Sequence, residues 1–371
     1  PRALVASLRV GAQQMVEIAK AMSFQSRVII MDEPTSAITE HETAMLFRLI
    51  QRLKARGTGI IYITHKLDEL PEIADDITVF RDGKYIAAKP FAETTREEMV
   101  RLMVGRELKD LFPKTSTPTQ DEVMRVRNVS LRHPGRPGDF AVREVSFSVR
   151  RGEVLGVFGL MGAGRTELLQ AIFGLHPRDT TGEIWIENKA VVIRSAQSAI
   201  DAGLALAPED RKGEGLVLIQ SIAENTTLAC LKKVSCGGIL RPGRELEIAG
   251  RYVERLRVRT PGLHQAVRNL SGGNQQKVVL AKWLATEPKV LLLDEPTRGI
   301  DINAKKEIYA LVDELARSGL AVVMVSSELP EILGIADRIL VLAEGRVTAE
   351  FARGAATEEA ILQAALPRSH N

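Results

Sequence analysis

Leu270-Ser271-Gly272-Gly273-Asn274-Gln275-Gln276 lies 262 residues after Leu8-Arg9-Val10-Gly11-Ala12-Gln13-Gln14. The same offset carries Asp32-Glu33-Pro34-Thr35 onto Asp294-Glu295-Pro296-Thr297. It carries Ala74-Asp75 onto Ala336-Asp337, Gly83 onto Gly345 and Thr95 onto Thr357. One offset held without a gap from Leu8 to Thr95 means two copies of one domain. The later copy has a glycine-rich loop, Gly159 to Thr166, whose counterpart falls before residue 1. The chain also opens on Pro1 rather than Met. The expectation is a fragment of a longer protein, with the first copy lacking its beginning.

Composition bounds the function. A chain of 371 residues suggests two or three domains. A net charge of +3 gives no nucleic-acid footprint. Aromatic residues, at 4%, are too sparse for base-stacking platforms. No apolar run approaches the ~18 residues that span a bilayer. Cys230 and Cys236 lack zinc-ligand spacing and read as ordinary thiols.

Residues 1–110 alternate helical and strand patterns. Apolar residues from Gln13 to Met22 recur at helical spacing. Val28 to Met31 and Gly59 to Thr64 read as buried strands around a Glu42–Arg56 amphipathic helix. Ile77 to Phe80 precedes an Asp82-Gly83 turn. Thr95 and Glu98 form a capping box. Residues 111–122 lose periodicity and gain Pro, Ser and Thr, so they read as a linker. The second copy runs over 123–371: strand-like segments around the glycine loop, a mostly helical stretch at 216–285, then the strand–helix–strand pattern again. Strands alternating with helices predict an α/β fold with a parallel sheet in each core.

Gly159-Leu160-Met161-Gly162-Ala163-Gly164-Arg165-Thr166 follows an apolar strand and opens a helix, the setting of a phosphate-binding loop. Gly162 and Gly164 let backbone N–H groups turn onto an anion, and a helix N-terminus adds partial positive charge. Thr166 is placed to offer its hydroxyl to Mg²⁺. Arg165 stands where such loops carry Lys. It keeps the charge but is larger, planar and forked, so phosphate binding survives and placement of the terminal phosphate changes. Asp32-Glu33 and Asp294-Glu295 each end an apolar strand and precede Pro-Thr. In such a pair the Asp holds Mg²⁺, and the Glu orients or deprotonates the water that attacks the γ-phosphate.

The Leu270–Gln276 stretch downstream of a phosphate loop resembles the signature of the ATP-binding cassette ATPases. Gly162-Ala163-Gly164-Arg165-Thr166-Glu167, Pro208-Glu209-Asp210-Arg211-Lys212 and Ser326-Ser327-Glu328 are similar to the tandem-cassette ATP-binding subunits of simple-sugar importers, the ribose, galactose and xylose group. Val10 to Met22 resembles that group's first signature. The resemblance implies two cassettes of the phosphate-loop NTPase class, each with a RecA-like parallel-sheet core, the helical signature subdomain and β-rich subdomain being complete only in the second. It implies two ATP molecules sandwiched between cassettes, with Mg²⁺. One site joins Asp32, Glu33 and His65 to Ser271, Gly272 and Gly273. The other joins Gly159, Gly162, Ala163, Gly164, Arg165, Thr166, Asp294 and Glu295 to Leu8-Arg9-Val10-Gly11. In that second site Ser327 replaces the histidine (65 + 262) and Arg9 replaces the signature serine. It is therefore expected to bind ATP and hydrolyse it slowly or not at all. Phe140 is a candidate for stacking on adenine.

The implied function is the motor of a carbohydrate importer, peripheral on the cytoplasmic face of the cell membrane. It would work with two transmembrane permease subunits and, indirectly, a periplasmic or extracellular sugar-binding protein, and with no nucleic acid. The competing readings are a nucleotide-binding fragment with weak hydrolysis and a soluble tandem-cassette factor. A degraded first signature, a linker of a dozen residues and a small net charge weigh against the last.

Overall fold

Apolar runs of four or five residues form the central strands, and two of them, Val28–Met31 and Val290–Leu293, run straight into an Asp-Glu pair. The computed structural model describes residues 4–5, 8, 10–24, 26–35, 40–64, 67–81, 83–95, 98–99, 102–103, 112, 114–133 and 138–366. The chain divides into two compact units, Pro1–Asp110 and Leu111–Asn371.

In the first unit, helix α1 (Val10–Ser23) leads to strand β1 (Val28–Asp32), α2 (Glu40–Ala55) and β2 (Gly59–Ile63). The short α3 (Leu70–Ile73) and strands β3 (Asp76–Arg81) and β4 (Lys84–Pro90) follow. β1 and β2 pair in parallel, while β3 and β4 form a separate antiparallel hairpin. Ile29 and Met31 pack inward with Leu46, Ile50 and Leu53 of α2. The sequence reading of β1 and β2 as buried strands is corrected here. Val28, Ile30, Ile61 and Ile63 are 55%, 66%, 52% and 48% exposed. The physical reason is one-sided cover. Among the described residues of this unit no strand joins the two pairs, so its core is a two-stranded parallel ribbon rather than a full parallel sheet.

The second unit opens with β5 (Glu122–Arg132), β6 (Phe140–Arg150) and β7 (Val154–Phe158). Then come α4 (Arg165–Ile172), β8 (Thr180–Ile186), β9 (Lys189–Val191), α5 (Ala196–Asp201) and β10 (Leu204–Ala207). Its helical part holds α6 (Ile222–Thr227), α7 (Leu231–Val234), a small hairpin of β11 (Ser235–Cys236) and β12 (Ile239–Leu240), α8 (Pro242–Arg255) and α9 (Gly272–Leu284). β13 (Val290–Asp294), α10 (Ile302–Arg317), β14 (Ala321–Val325), α11 (Leu329–Ile335), β15 (Arg338–Ala343), β16 (Arg346–Ala352) and α12 (Glu358–Ala365) complete it.

Six strands form the main sheet in the order β10-β13-β14-β7-β15-β16, parallel except for β16. β6, β5, β8 and β9 form an antiparallel sheet. β7 and helix α4 supply cover that has no counterpart among the described residues of the first unit: β7 joins β14 to β15, and α4 packs on β13. Every residue of β13 and β14 is buried. Each fully buried leucine of β13 contributes roughly 1.5–3 kcal/mol of hydrophobic stabilisation.

The stretch read as a linker is strapped to the second unit. The Thr115 and Ser116 N–H groups donate to Asp313 at 3.0 and 2.8 Å. Lys114 pairs with Asp337 at 2.7 Å, and the Phe112 ring meets Tyr309. In the first unit the Thr95 hydroxyl accepts from the Glu98 N–H at 3.2 Å, while the Glu98 carboxylate takes the Lys89 ammonium at 2.5 Å.

Candidate nucleotide-binding site

β7 is fully buried and ends at Phe158. The chain then has to turn sharply to reach α4. Gly164 makes that turn in the left-handed region at φ 92° and caps the helix. A Cβ on Gly164 would come within 2.4 Å of the Ala141 carbonyl, and one on Gly159 within 2.5 Å of the Leu342 carbonyl. Both positions therefore require glycine on steric grounds. The first-turn N–H groups of α4 have no intrahelical acceptor and are available to an anion. Phe140, two-thirds buried and capped by the Arg143 guanidinium at 5.7 Å, adjoins Ala141 at the rim of this loop.

The acids at the end of β13 lie beside the loop. Asp294 and Glu295 are 3% and 8% exposed. Burial pushes the Asp294 carboxyl up to about 6, against the lowering effect of the nearby Thr166 hydroxyl and the charge of Arg165. Its Oδ1 is buried without a hydrogen-bond partner. An orphaned buried carboxylate oxygen next to a threonine hydroxyl fits a Mg²⁺ that takes its other ligands from phosphate and water. No cluster of three or more His, Cys, Asp or Glu is placed to hold a metal among the described residues.

Glu295 is raised by burial and lowered by Arg165 and Ser327. Arg165 Nη1 lies 3.3 Å from Glu295 Oε1, an ion pair without hydrogen-bond alignment. The Ser327 hydroxyl donates to Oε2 at 3.1 Å. The carboxylate expected to act on water is thus held on both oxygens.

Asp32 and Glu33 end β1 in the same way but are exposed. The backbone turn is shared: Glu33 has φ 43° and Glu295 φ 44°, a conformation that costs a non-glycine residue of order 1–3 kcal/mol. Each glutamate N–H donates to the neighbouring strand, to the Ile63 carbonyl at 2.9 Å and to the Val325 carbonyl at 3.0 Å. His65 and Arg9 lie outside the described residues. Val10 and Gly11 open α1.

Ser271 is the exposed N-cap of α9, and its hydroxyl accepts from Asn274 Nδ2 at 2.9 Å. A Cβ on Gly273 would come within 2.6 Å of the Ala304 Cβ, and one on Gly272 within 2.9 Å of the Arg211 guanidinium. Arg211 donates to the carbonyls of Arg298 and Gly299, at 2.7 and 2.9 Å. Arg298 in turn pairs with Glu209. The structure brings Gly159–Thr166 together with Asp294 and Glu295. No hydrogen bond or ion pair among the described residues joins Ser271, Gly272 or Gly273 to those acids.

Sequence reading passed over two buried carboxylates, Glu69 and Glu331, which hold the loops after the acids through Thr35 and Thr297. The signal was available, because they too are 262 residues apart.

Comparison with known proteins agrees with this geometry. Residues 142–298 match the ABC transporter family. The chain is 57% identical to the ribose import ATP-binding protein RbsA of Rhodopirellula baltica, over all of this chain and 72% of that one. It is 49% identical to the xylose import ATP-binding protein XylG of Moorella thermoacetica, over 98% of this chain and 72% of that one. A nucleotide-free ATP-binding cassette of an ABC transporter superposes with a TM-score of 0.53 at 22% identity, over 66% of this chain and 94% of that one, which speaks to the fold.

Proposed function

The chain belongs to the ATP-binding proteins of sugar import within the ABC transporter family, and from that premise we propose that it is the ATP-hydrolysing motor subunit that powers carbohydrate import across the cytoplasmic membrane. The observation that carries the reading is the glycine turn after β7, set beside a buried Asp294 whose Oδ1 has no hydrogen-bond partner and which lies near the Thr166 hydroxyl. Gly159, Gly162, Ala163, Gly164 and Arg165 cradle the phosphates. Thr166 and Asp294 hold Mg²⁺, which when bound neutralises charge between the phosphates. Ser271, Gly272 and Gly273 present a hydroxyl and helix N–H groups to a phosphate held by an opposing cassette. Phe140 stacks on adenine.

The first unit is read as part of a second cassette, with Asp32 as its metal ligand and Glu33 and His65 as its catalytic pair. Supporting this is the repetition of structure at the same offset: the positive-φ glutamates, their bonds to the next strand, and the Thr35–Glu69 and Thr297–Glu331 pairs. The partners are two permease subunits and, through them, a sugar-binding protein, with the chain peripheral on the cytoplasmic face of the membrane. No helix among the described residues is long and apolar enough to cross a membrane.

The site at Glu295 is the slow one. Its carboxylate is engaged on one oxygen by Arg165 and on the other by Ser327. A hydrogen bond to a charged group is worth roughly 1.5–3 kcal/mol, enough to slow turnover by one to two orders of magnitude. Single-turnover hydrolysis in a Glu33→Gln variant isolates this site. Slow decay of bound ATP is expected, and fast hydrolysis refutes the assignment.

A further inference from the structure

One carboxylate gathers both loops that position Glu295. Glu331, on α11, is 1% exposed. It accepts from the Thr297 hydroxyl at 2.7 and 2.8 Å and from the Ser326 hydroxyl at 2.7 Å. It also accepts from the Tyr309 phenol at 2.5 Å and the Lys305 ammonium at 3.1 Å. Thr297 lies two residues beyond Glu295, and Ser326 directly precedes Ser327, whose hydroxyl holds the Glu295 carboxylate. Ser326 in turn accepts from the Glu328 N–H at 3.0 Å. Glu331 therefore fixes the loop that carries the acid to the loop that steers it.

The first unit builds the same hub from a partly different set of donors. Glu69, 7% exposed, accepts from Thr35 at 2.5 Å and Thr64 at 3.2 Å, the counterparts of Thr297 and Ser326. It also accepts from a phenol, Tyr62, at 2.7 Å. That phenol comes from a different position. The counterpart of Tyr62 is Met324, and the counterpart of Tyr309 is Phe47. Tyr62 reaches in from strand β2 and Tyr309 from helix α10. Simple inheritance of a fold would keep the donor in place. Here the donor has moved and the bond to the carboxylate remains. Stability alone does not account for a buried carboxylate either, since a well-packed apolar group of similar size is often neutral or better.

We propose that Glu331 and Glu69 are positioning residues that lock the acid-bearing loop to the following loop in each unit, so that the orientation of Glu295 and Glu33 depends on them. The functional half of this inference rests on the ATPase reading; the mechanical half does not. Amide hydrogen exchange and single-turnover hydrolysis test the two halves separately. In Glu331→Gln, exchange at the Glu295, Arg298 and Glu328 amides rises at least tenfold while β13 and β14 stay protected. With Glu69→Gln added, hydrolysis falls at least tenfold at an ATP affinity unchanged within twofold. Unchanged exchange at those three amides overturns the proposal. So does a loss of turnover matched by an equal loss of affinity and a general rise in exchange, which is what a merely structural role gives. If the unsubstituted chain takes up no ATP, the ATPase reading falls, and the exchange result alone decides whether Glu331 locks the loops. If Glu331→Gln does not fold, Thr297→Val, which removes one donor and leaves the carboxylate its others, must show the same local rise; no rise overturns the proposal.

Discussion

Asp32 and Glu33 lie open to solvent at the end of β1, while Asp294 and Glu295 are buried at the end of β13. The two acid pairs share a sequence, a positive φ at the glutamate and an anchoring bond to the next strand. What differs is the cover. In the second unit β7 completes the sheet, and α4, the helix that the phosphate loop opens, lies on β13. Burial there lifts Asp294 to about 6, and Arg165 lies against Glu295. The motif sets the backbone; the elements packed around it set the electrostatics.

The comparison breaks most sharply on core deletions. Leu292 is fully buried, whereas Ile30, its counterpart, is two-thirds exposed. Leu292→Ala should cost about 2–5 kcal/mol by denaturant titration, and Ile30→Ala about 1 kcal/mol or less. Equal losses would mean that the open face of β1 is covered in solution.

A smaller effect separates the helices that follow the two signature stretches. Lys282 of α9 is buried, donates to the Gly215 carbonyl at 2.6 Å and is pushed down to about 8 by burial. Its counterpart on α1, Lys20, is exposed. Folded Lys282 loses its proton before an unfolded lysine does. Between about pH 8 and 10.5 the unfolded chain therefore holds more protons, and stability rises with pH, by about 3 kcal/mol across the window. Lys282→Met should remove that rise. Lys20→Met should move stability by no more than about 0.5 kcal/mol. A pH slope untouched by Lys282→Met would place the titration elsewhere.

Much of this molecule was legible in order of sequence distance. The glycine loop, the strand-end acids and the signature each sit within a dozen residues, and period and turn chemistry place them on the right elements. Partners held far apart were not. Lys282 and Gly215 are 67 residues apart, and Thr297 and Glu331 are 34 apart. Periodicity says that Ile30 and Leu292 are strand residues, but not whether a helix covers them. Arg165 was legible as a departure from lysine; its pairing with Glu295 depends on a fork of particular reach. The repeat offset carried the most information, and following it to Glu69 and Glu331 would have exposed the hubs.

In the function proposed above, the second unit grips a nucleotide through the loop after β7 and the acid after β13. Equilibrium binding of ATP with Mg²⁺ to the chain and to its Gly164→Val variant tests it most directly. Saturable binding at one site per chain is expected, weakened at least a hundredfold in the variant, because a side chain at φ 92° collides with the Ala141 carbonyl. Binding of equal strength in a folded Gly164→Val variant would contradict it.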